Sequence, residues 1–312
     1  MALVSMRSLM KHALEGRYAV GYFESWNMES TLAVIDAAEE AESPVIIGFS
    51  GVFLGNDERR IEENIYHYGS LGVAIAENAK VPVALLLNEA DKEAILINGL
   101  KAGFNAIMHQ DAKCTLQEEI DMNRYLVRTA HHFGADVEAE VGALPTADRN
   151  RNTIGAGEPT DPDKAAYFVE TTQIDALAIA VGNVHLLEGR KSNLDLALIR
   201  RIRSKVSVPL VLHGGTGMSA EGMREAITSG ICKINVGTVL KRVFIDALRE
   251  GLTEDGIDAI DLHEIMGKGG KYDILSRARY AMARQVLSFM EIFGSEGKAK
   301  EWGAKNCHMG DS

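Results

Sequence analysis

The stretch that decides the fold occupies residues 208–238, VPLVLHGGTGMSAEGMREAITSGICKINVGT. It opens on the apolar run PLVL, passes through His213 and a glycine-rich turn, and continues through a segment with apolar residues at helical spacing (Met223, Ala226, Ile227). It closes on a second apolar run, ICKINV. Two short buried strands joined by an amphipathic helix make a parallel βαβ unit with a right-handed crossover. Strands covered on both faces read as near-continuous apolar runs; PLVL does so, and ICKINV keeps four apolar residues of six around Lys233 and Asn235.

The same pattern recurs throughout the chain. YAVGYF (18–23), SPVIIGF (43–49), VPVALLL (81–87), FNAIMH (104–109), DVEAEV (136–141) and DALAIAV (175–181) bring the candidate strands to eight. Between them lie amphipathic segments such as ESTLAVIDAAEEAE, LQEEIDMNRYLVRTAHHFG and DLALIRRIRSKV. Eight βα units fit a closed (β/α)8 TIM barrel better than an open doubly wound sheet, which usually carries fewer strands. The expectation is one α/β barrel domain over residues 1–312, with residues 251–312 a C-terminal helical extension docked on the barrel. The polar, Gly- and Pro-containing stretch 142–162 reads as a lid or a disordered loop.

Composition narrows the function classes. The 312 residues carry 44 acidic against 33 basic side chains, a net charge of −11, so there is no basic footprint for nucleic acid or an anionic membrane. Cys114, Cys232 and Cys307 are far apart and form no CxxC pair, which predicts reduced thiols in place of a disulfide framework or a thiolate zinc site. MALVSMRSLMKHALEG is too polar for a signal peptide, and no apolar run approaches the roughly 18 residues of a membrane span. A cytoplasmic protein is expected.

In such a barrel, chemistry sits where strands end at their carboxyl side. The polar residues there are Asn88 and Glu89, His109 and Gln110, Glu138 and Glu140, His185, His213 and Asn235. After the seventh strand, Gly214, Gly215 and Thr216 open a helix; after the eighth, Gly237 and Thr238 do the same. Backbone N–H groups and hydroxyls at two helix amino termini suit a phosphate, although the glycines also serve tight turns. His213 alone reads as a satisfied core histidine, but with His185 on the adjacent strand end it reads as half of a metal site.

Taken in order, LVSMRSLMKHALEGRYAVGYF, AAEEAESPVIIGFSG, VEAEVG, DALAIAVGNVH, VPLVLHGGTGM, KINVGT and EIFGSEGKA resemble the class II, metal-dependent fructose-bisphosphate and tagatose-bisphosphate aldolase family. The resemblance covers nearly the whole chain. It implies a homodimer or larger assembly, a small phosphorylated sugar as substrate, and a divalent metal, zinc or else manganese or cobalt, that polarises the ketose carbonyl. His185 and His213 match metal ligands, and Glu140 matches an alternative ligand. Gly214, Thr216 and Thr238 match the phosphate cradle, and Asn235 the residue on the substrate's hydroxyl side. Asp148 falls where the family has a mobile acid that handles the enediolate proton.

The departures are concentrated at the metal. Where the family's third strand ends in HLDHG, with an aspartate general base and a histidine ligand, this chain has Leu86, Leu87, Asn88, Glu89 and Ala90. An amide takes no proton, whereas Glu89 can replace the histidine as a donor. Gln110 stands for a nearby aspartate, and Leu186 and Gly189 stand where the family has a glycine and often a lysine. The resemblance thus implies a lyase on a phosphorylated ketose with chemistry other than ordinary fructose 1,6-bisphosphate cleavage. Asp148, His109, Glu89 or a metal-bound hydroxide are the candidate bases. The alternatives are an isomerase or epimerase using the same enediolate, and a non-catalytic sugar-phosphate-binding barrel. Arg277 and Arg279 are candidates for a distal phosphate.

Overall fold

The computed structural model describes residues 3–147, 153–154, 157–184 and 193–307. Eight parallel strands close a barrel: β1 (Val20–Ser25), β2 (Val45–Ser50), β3 (Val83–Ala90), β4 (Ala106–His109), β5 (Asp136–Val141), β6 (Ala176–Ile179), β7 (Leu210–Leu212) and β8 (Ile231–Val236). Each lies within or overlaps one of the apolar runs, and the expected TIM barrel is the observed fold. Closure comes from β1 against β8, where Val20 pairs with Lys233 and Phe23 with Val236. A short antiparallel pair, Thr146–Ala147 with Thr153–Ile154, stands apart from the barrel.

Strand period puts alternate residues on opposite faces. Val20, Tyr22, Ile46, Ala84, Leu86, Ala106, Met108, Ala176, Ala178 and Val211 fill the barrel interior. Phe23, Ile47, Leu85, Leu87, Ile107, Val137, Ile179 and Leu212 face the helical ring. The polar amino-terminal segment closes the bottom of the barrel. Helix Met6–Gly16, capped by Ser5, drives Met6, Leu9 and Met10 into the barrel floor. Each such burial stabilises the fold by about 1.5–3 kcal/mol. Asp136 of β5 clamps this helix, accepting from Ser5 Oγ at 2.8 Å and from the Arg7 backbone N–H at 2.9 Å. With its floor plugged by this helix, the barrel has its mouth at the carboxyl ends of its strands.

Helix Ile274–Phe293 packs on helices Met28–Glu40 and Thr238–Leu252. Phe289 and Phe293 lie against Phe23 with ring centroids 6.3 and 6.2 Å away. Among the described residues no helix is long and apolar enough to cross a membrane.

Candidate active site

The mouth of the barrel is organised around His213, which follows β7 and is almost completely buried. Its Nε2 lies 3.0 Å from Glu138 Oε1, while Nδ1 lies 3.1 Å from Glu89 Oε1 and 3.3 Å from Glu140 Oε2. Below it, Lys233 Nζ donates to Glu138 Oε1 at 3.1 Å and to Asn235 Oδ1 at 2.6 Å, and it lies 2.8 Å from Glu138 Oε2 as an ion pair. Lys233 and Glu138 are both 0% exposed. Asn183 secures the loop from below, donating Nδ2–H to the His213 carbonyl at 3.1 Å.

Strand geometry explains how these groups converge. On β5, Val137 and Ala139 face the helices, so Glu138 and Glu140 point inward. On β3, Leu86 points inward and Leu87 outward, and alternation then places Asn88 inward. Simple alternation would send Glu89 outward. Its backbone is left-handed instead, with φ of +52°, and the pairing slips there: Leu87 faces Ile107, then Ala90 faces His109. The extra residue on β3 is a bulge, a device that re-aims a side chain at a sheet edge. It turns the Glu89 carboxylate towards His213 at a backbone cost of about 1–3 kcal/mol.

The electrostatics follow from burial among acids. Burial alone would lower the His213 pKa, but hydrogen bonds to Glu138 and Glu89 and the charge of Glu140 push it up to about 10. Burial raises Glu140 to about 7; His213 opposes the rise, and Glu89, Glu138 and Glu119 add to it. Glu138 is held below the ordinary carboxylate range, because Lys233 and His213 outweigh its burial.

Beside His213 a small cavity of about 90 Å³ is lined by Tyr22, Glu24, Asn88, Glu89, Gly214, Thr216, Asn235, Gly237, Thr238 and Lys241, among others. Three buried polar atoms of its walls make no hydrogen bond to the protein: Tyr22 Oη, Asn88 Oδ1 and Asn235 Nδ2. Unpaired buried polar groups cost about 1–3 kcal/mol each, so their convergence on one cavity marks a place for a polar ligand. Lys233 settles the Asn235 amide: an ammonium only donates, so the atom it touches is the oxygen and the NH2 is the group left unpaired. Tyr22 escapes sequence reasoning because one tyrosine in an apolar run reads as core. Lys233 escapes it similarly, although a lysine inside a fully buried strand is itself a signal.

The two expected phosphate loops lie side by side. Gly214 has φ of +73°, and a Cβ there would sit 2.4 Å from the Val184 carbonyl oxygen. Gly215 is buried beneath the loop. Thr216 Oγ1 accepts from the Val239 N–H at 3.3 Å, so it caps the helix that Thr238 begins. Lys241, one turn into that helix, lies 2.8 Å from Glu24 and provides a cation that sequence reasoning does not single out.

Other candidates fall elsewhere. Met108 points inward, so His109 faces the helices, where its Nδ1 lies 3.1 Å from Glu119 Oε2. It lines a second cavity, of about 380 Å³, with Gln110, Glu119 and Glu140. Gln110 reaches Glu140 Oε1 at 3.5 Å. Arg277 pairs with Glu254, and Arg279 with Asp36 at 2.5 Å, away from the cavity beside His213. His185, Leu186, Gly189 and Asp148 lie outside the described residues.

The donors present suit a divalent ion. Two carboxylate oxygens stand 3.1 and 3.3 Å from one imidazole nitrogen; donors sharing a tetrahedral ion with bonds of about 2.0–2.1 Å are separated by about 3.3 Å. Among the described residues no three His, Cys, Asp or Glu side chains form a metal cage.

The chain is 34% identical over 298 residues to the uncharacterized protein YdjI of Escherichia coli strain K12, covering 96% of this chain and all of that protein. The crystal structure of the latter, described as the YdjI aldolase, superposes with a TM-score of 0.76 over 95% of this chain and 99% of its own at 33% identity. A fructose-bisphosphate aldolase of Geobacillus stearothermophilus is 35% identical over 305 residues, which are 96% of this chain and the whole of that protein. The model of the class-II fructose-bisphosphate aldolase family matches residues 4–298, and the chain belongs to that family.

Proposed function

We propose that this protein is a metal-dependent lyase acting on a phosphorylated ketose or a related sugar phosphate, by a reaction other than ordinary fructose 1,6-bisphosphate cleavage. The observation that carries the reading is Asn88, an inward-facing amide with an unpaired oxygen beside the Glu89–His213 pair, where the family has its aspartate base. Class II aldolases are in general divalent-metal enzymes that act on sugar phosphates. Glu89, His185 and His213 would hold the ion here, with Glu140 as an alternative ligand; zinc suits the set, and the carboxylate also admits manganese or cobalt. Such an ion supplies a Lewis acid for the substrate carbonyl.

The remaining work belongs to the chain itself. Gly214, Thr216 and Thr238 bind the phosphate at the helix amino terminus, with Gly215 and Gly237 shaping the loops and Lys241 adding charge. Asn235 presents its NH2, and Asn88 its carbonyl oxygen, to substrate oxygens; an acceptor at position 88 suits a hydroxyl that stays protonated. Glu140, titrating near 7, is able to hold and return a proton at neutral pH. Asp148 remains the other acid in the proposal, and His109, turned to Glu119, is the least well placed. The site works in a cytoplasmic homodimer or larger assembly.

Asn88 also favours a second reading, isomerisation or epimerisation, which never deprotonates the hydroxyl whose collapse breaks the carbon–carbon bond. Metal analysis combined with a panel of phosphorylated sugars and mass-spectrometric product detection tests both. Two fragments support the lyase, and one isomer supports the alternative. Phosphate binding without turnover or metal leaves only a binding barrel.

A further inference from the structure

We infer that the buried Glu138–Lys233 ion pair is a positioning device that fixes the proton on His213 Nε2, keeps Nδ1 for a ligand at the mouth, and locks the Asn235 amide with its NH2 towards the cavity. This rests on the proposed function only in taking that ligand to be a metal ion. Lys233 donates to Glu138 Oε1 and to Asn235 Oδ1, pairs as an ion with Glu138 Oε2, and is enclosed on every side. The Tyr22 ring lies over it, with Nζ 5.1 Å from the ring centroid.

A carboxylate held by an ammonium stays ionised and only accepts hydrogen bonds. The nitrogen 3.0 Å from it, His213 Nε2, must therefore carry the proton. In a neutral imidazole the lone pair then belongs to Nδ1, the atom that faces Glu89 and Glu140. Taking two charges out of water is costly, and an apolar pair of the same shape would serve stability as well or better. A buried pair reaching a histidine from one end and an oriented amide from the other has an explanation in placing both groups. Partners of this type behind a metal-binding histidine typically change affinity 10–100-fold when removed.

The test compares the full chain with the double variant Glu138→Gln, Lys233→Met. The pair is removed together because a single substitution would strand one charge in the core. A glutamine at 138 can turn its NH2 towards the imidazole, so the tautomer is no longer dictated. The first readout is nitrogen–proton NMR of the His213 ring in metal-free wild-type protein. A protonated, exchange-protected Nε2 is expected, and an unprotonated Nε2 overturns the inference whether or not the double variant folds. The second is titration with cobalt(II), followed by its visible absorption. The folded double variant should bind about 10–100-fold more weakly than wild type, and equal affinity overturns the inference. If wild-type protein binds no cobalt, the metal-dependent reading of the site fails, and the NMR result alone decides the positioning role.

Discussion

At position 88 an amide takes the place of a proton acceptor, and general-base catalysis is worth roughly 10²–10⁴-fold. Cleavage of fructose 1,6-bisphosphate by this protein should be slower than in an ordinary family member by a comparable factor. Asn88→Asp, alone and combined with Glu89→His, should raise that cleavage and depress the native reaction. Steady-state assays on both substrates check this, and a wild-type rate equal to that of an ordinary aldolase would refute it. Glu89 permits a separate experiment because its left-handed backbone, φ +52°, favours glycine. Glu89→Gly should raise the urea-unfolding stability of metal-free protein by about 1 kcal/mol while weakening metal binding. Loss of both stability and affinity would show that the carboxylate supports the fold and that strain is not what its backbone stores.

Among the elements, the junction between the β7 loop and the helix after β8 carries two functions on one hydroxyl. Thr216 both lines the cavity and caps the Val239 N–H. Thr216→Val should therefore cost about 0.5–2 kcal/mol of stability through the lost cap, and should also reduce the thermal protection given by millimolar phosphate, which follows RT ln(1 + [L]/Kd). Thr228→Val, at an exposed helix end, should leave the phosphate shift intact; thermal melts with and without phosphate separate the two effects. The strands themselves were legible because buried parallel strands need mainly apolar runs, even where Glu138, Glu140, Lys233 and Asn235 interrupt them, and each such run holds or overlaps a strand. The side to which a strand-end residue points was less legible. His109 and Glu89 both follow apolar runs, yet one faces the helices and the other, through a bulge, faces the mouth. A local backbone conformation decides this, and no pattern of residue types encodes it. The family motifs located the loops of Gly214 and Thr238, whereas the Tyr22 hydroxyl and the Glu138–Lys233 pair emerged only when distant strands were set beside one another.

For the molecule as a whole, the acids around His213 link folding to pH. His213 has a folded pKa of about 10 against an ordinary 6.5, so its stabilising contribution is complete below about 6.5 and is lost as pH rises through about 10. Glu140, raised from 4.5 to about 7, contributes with the same sign between those values. The melting temperature of metal-free protein should accordingly fall as pH is raised from about 6.5 to 10, and His213→Gln should flatten the decline. A divalent ion held as proposed would displace the proton on Nδ1, so its affinity should climb across the same window, by up to about tenfold per pH unit for each proton released. A melting profile independent of pH in that range would contradict the proximity of these charges.

The closing of β1 on β8 has a further consequence, for the order in which the chain assembles. Glu138 precedes Lys233 by 95 residues, so during synthesis the acid exists long before its partner. Until β8 enters between β1 and β7, an intermediate must leave that carboxylate hydrated or protonated, and its interior cannot dry. A seven-stranded barrel that closed early would bury that carboxylate without its ammonium partner, leaving His213 to offset it. The ion pair thus penalises premature closure, and the last strand to emerge is the one that lets the interior expel its water.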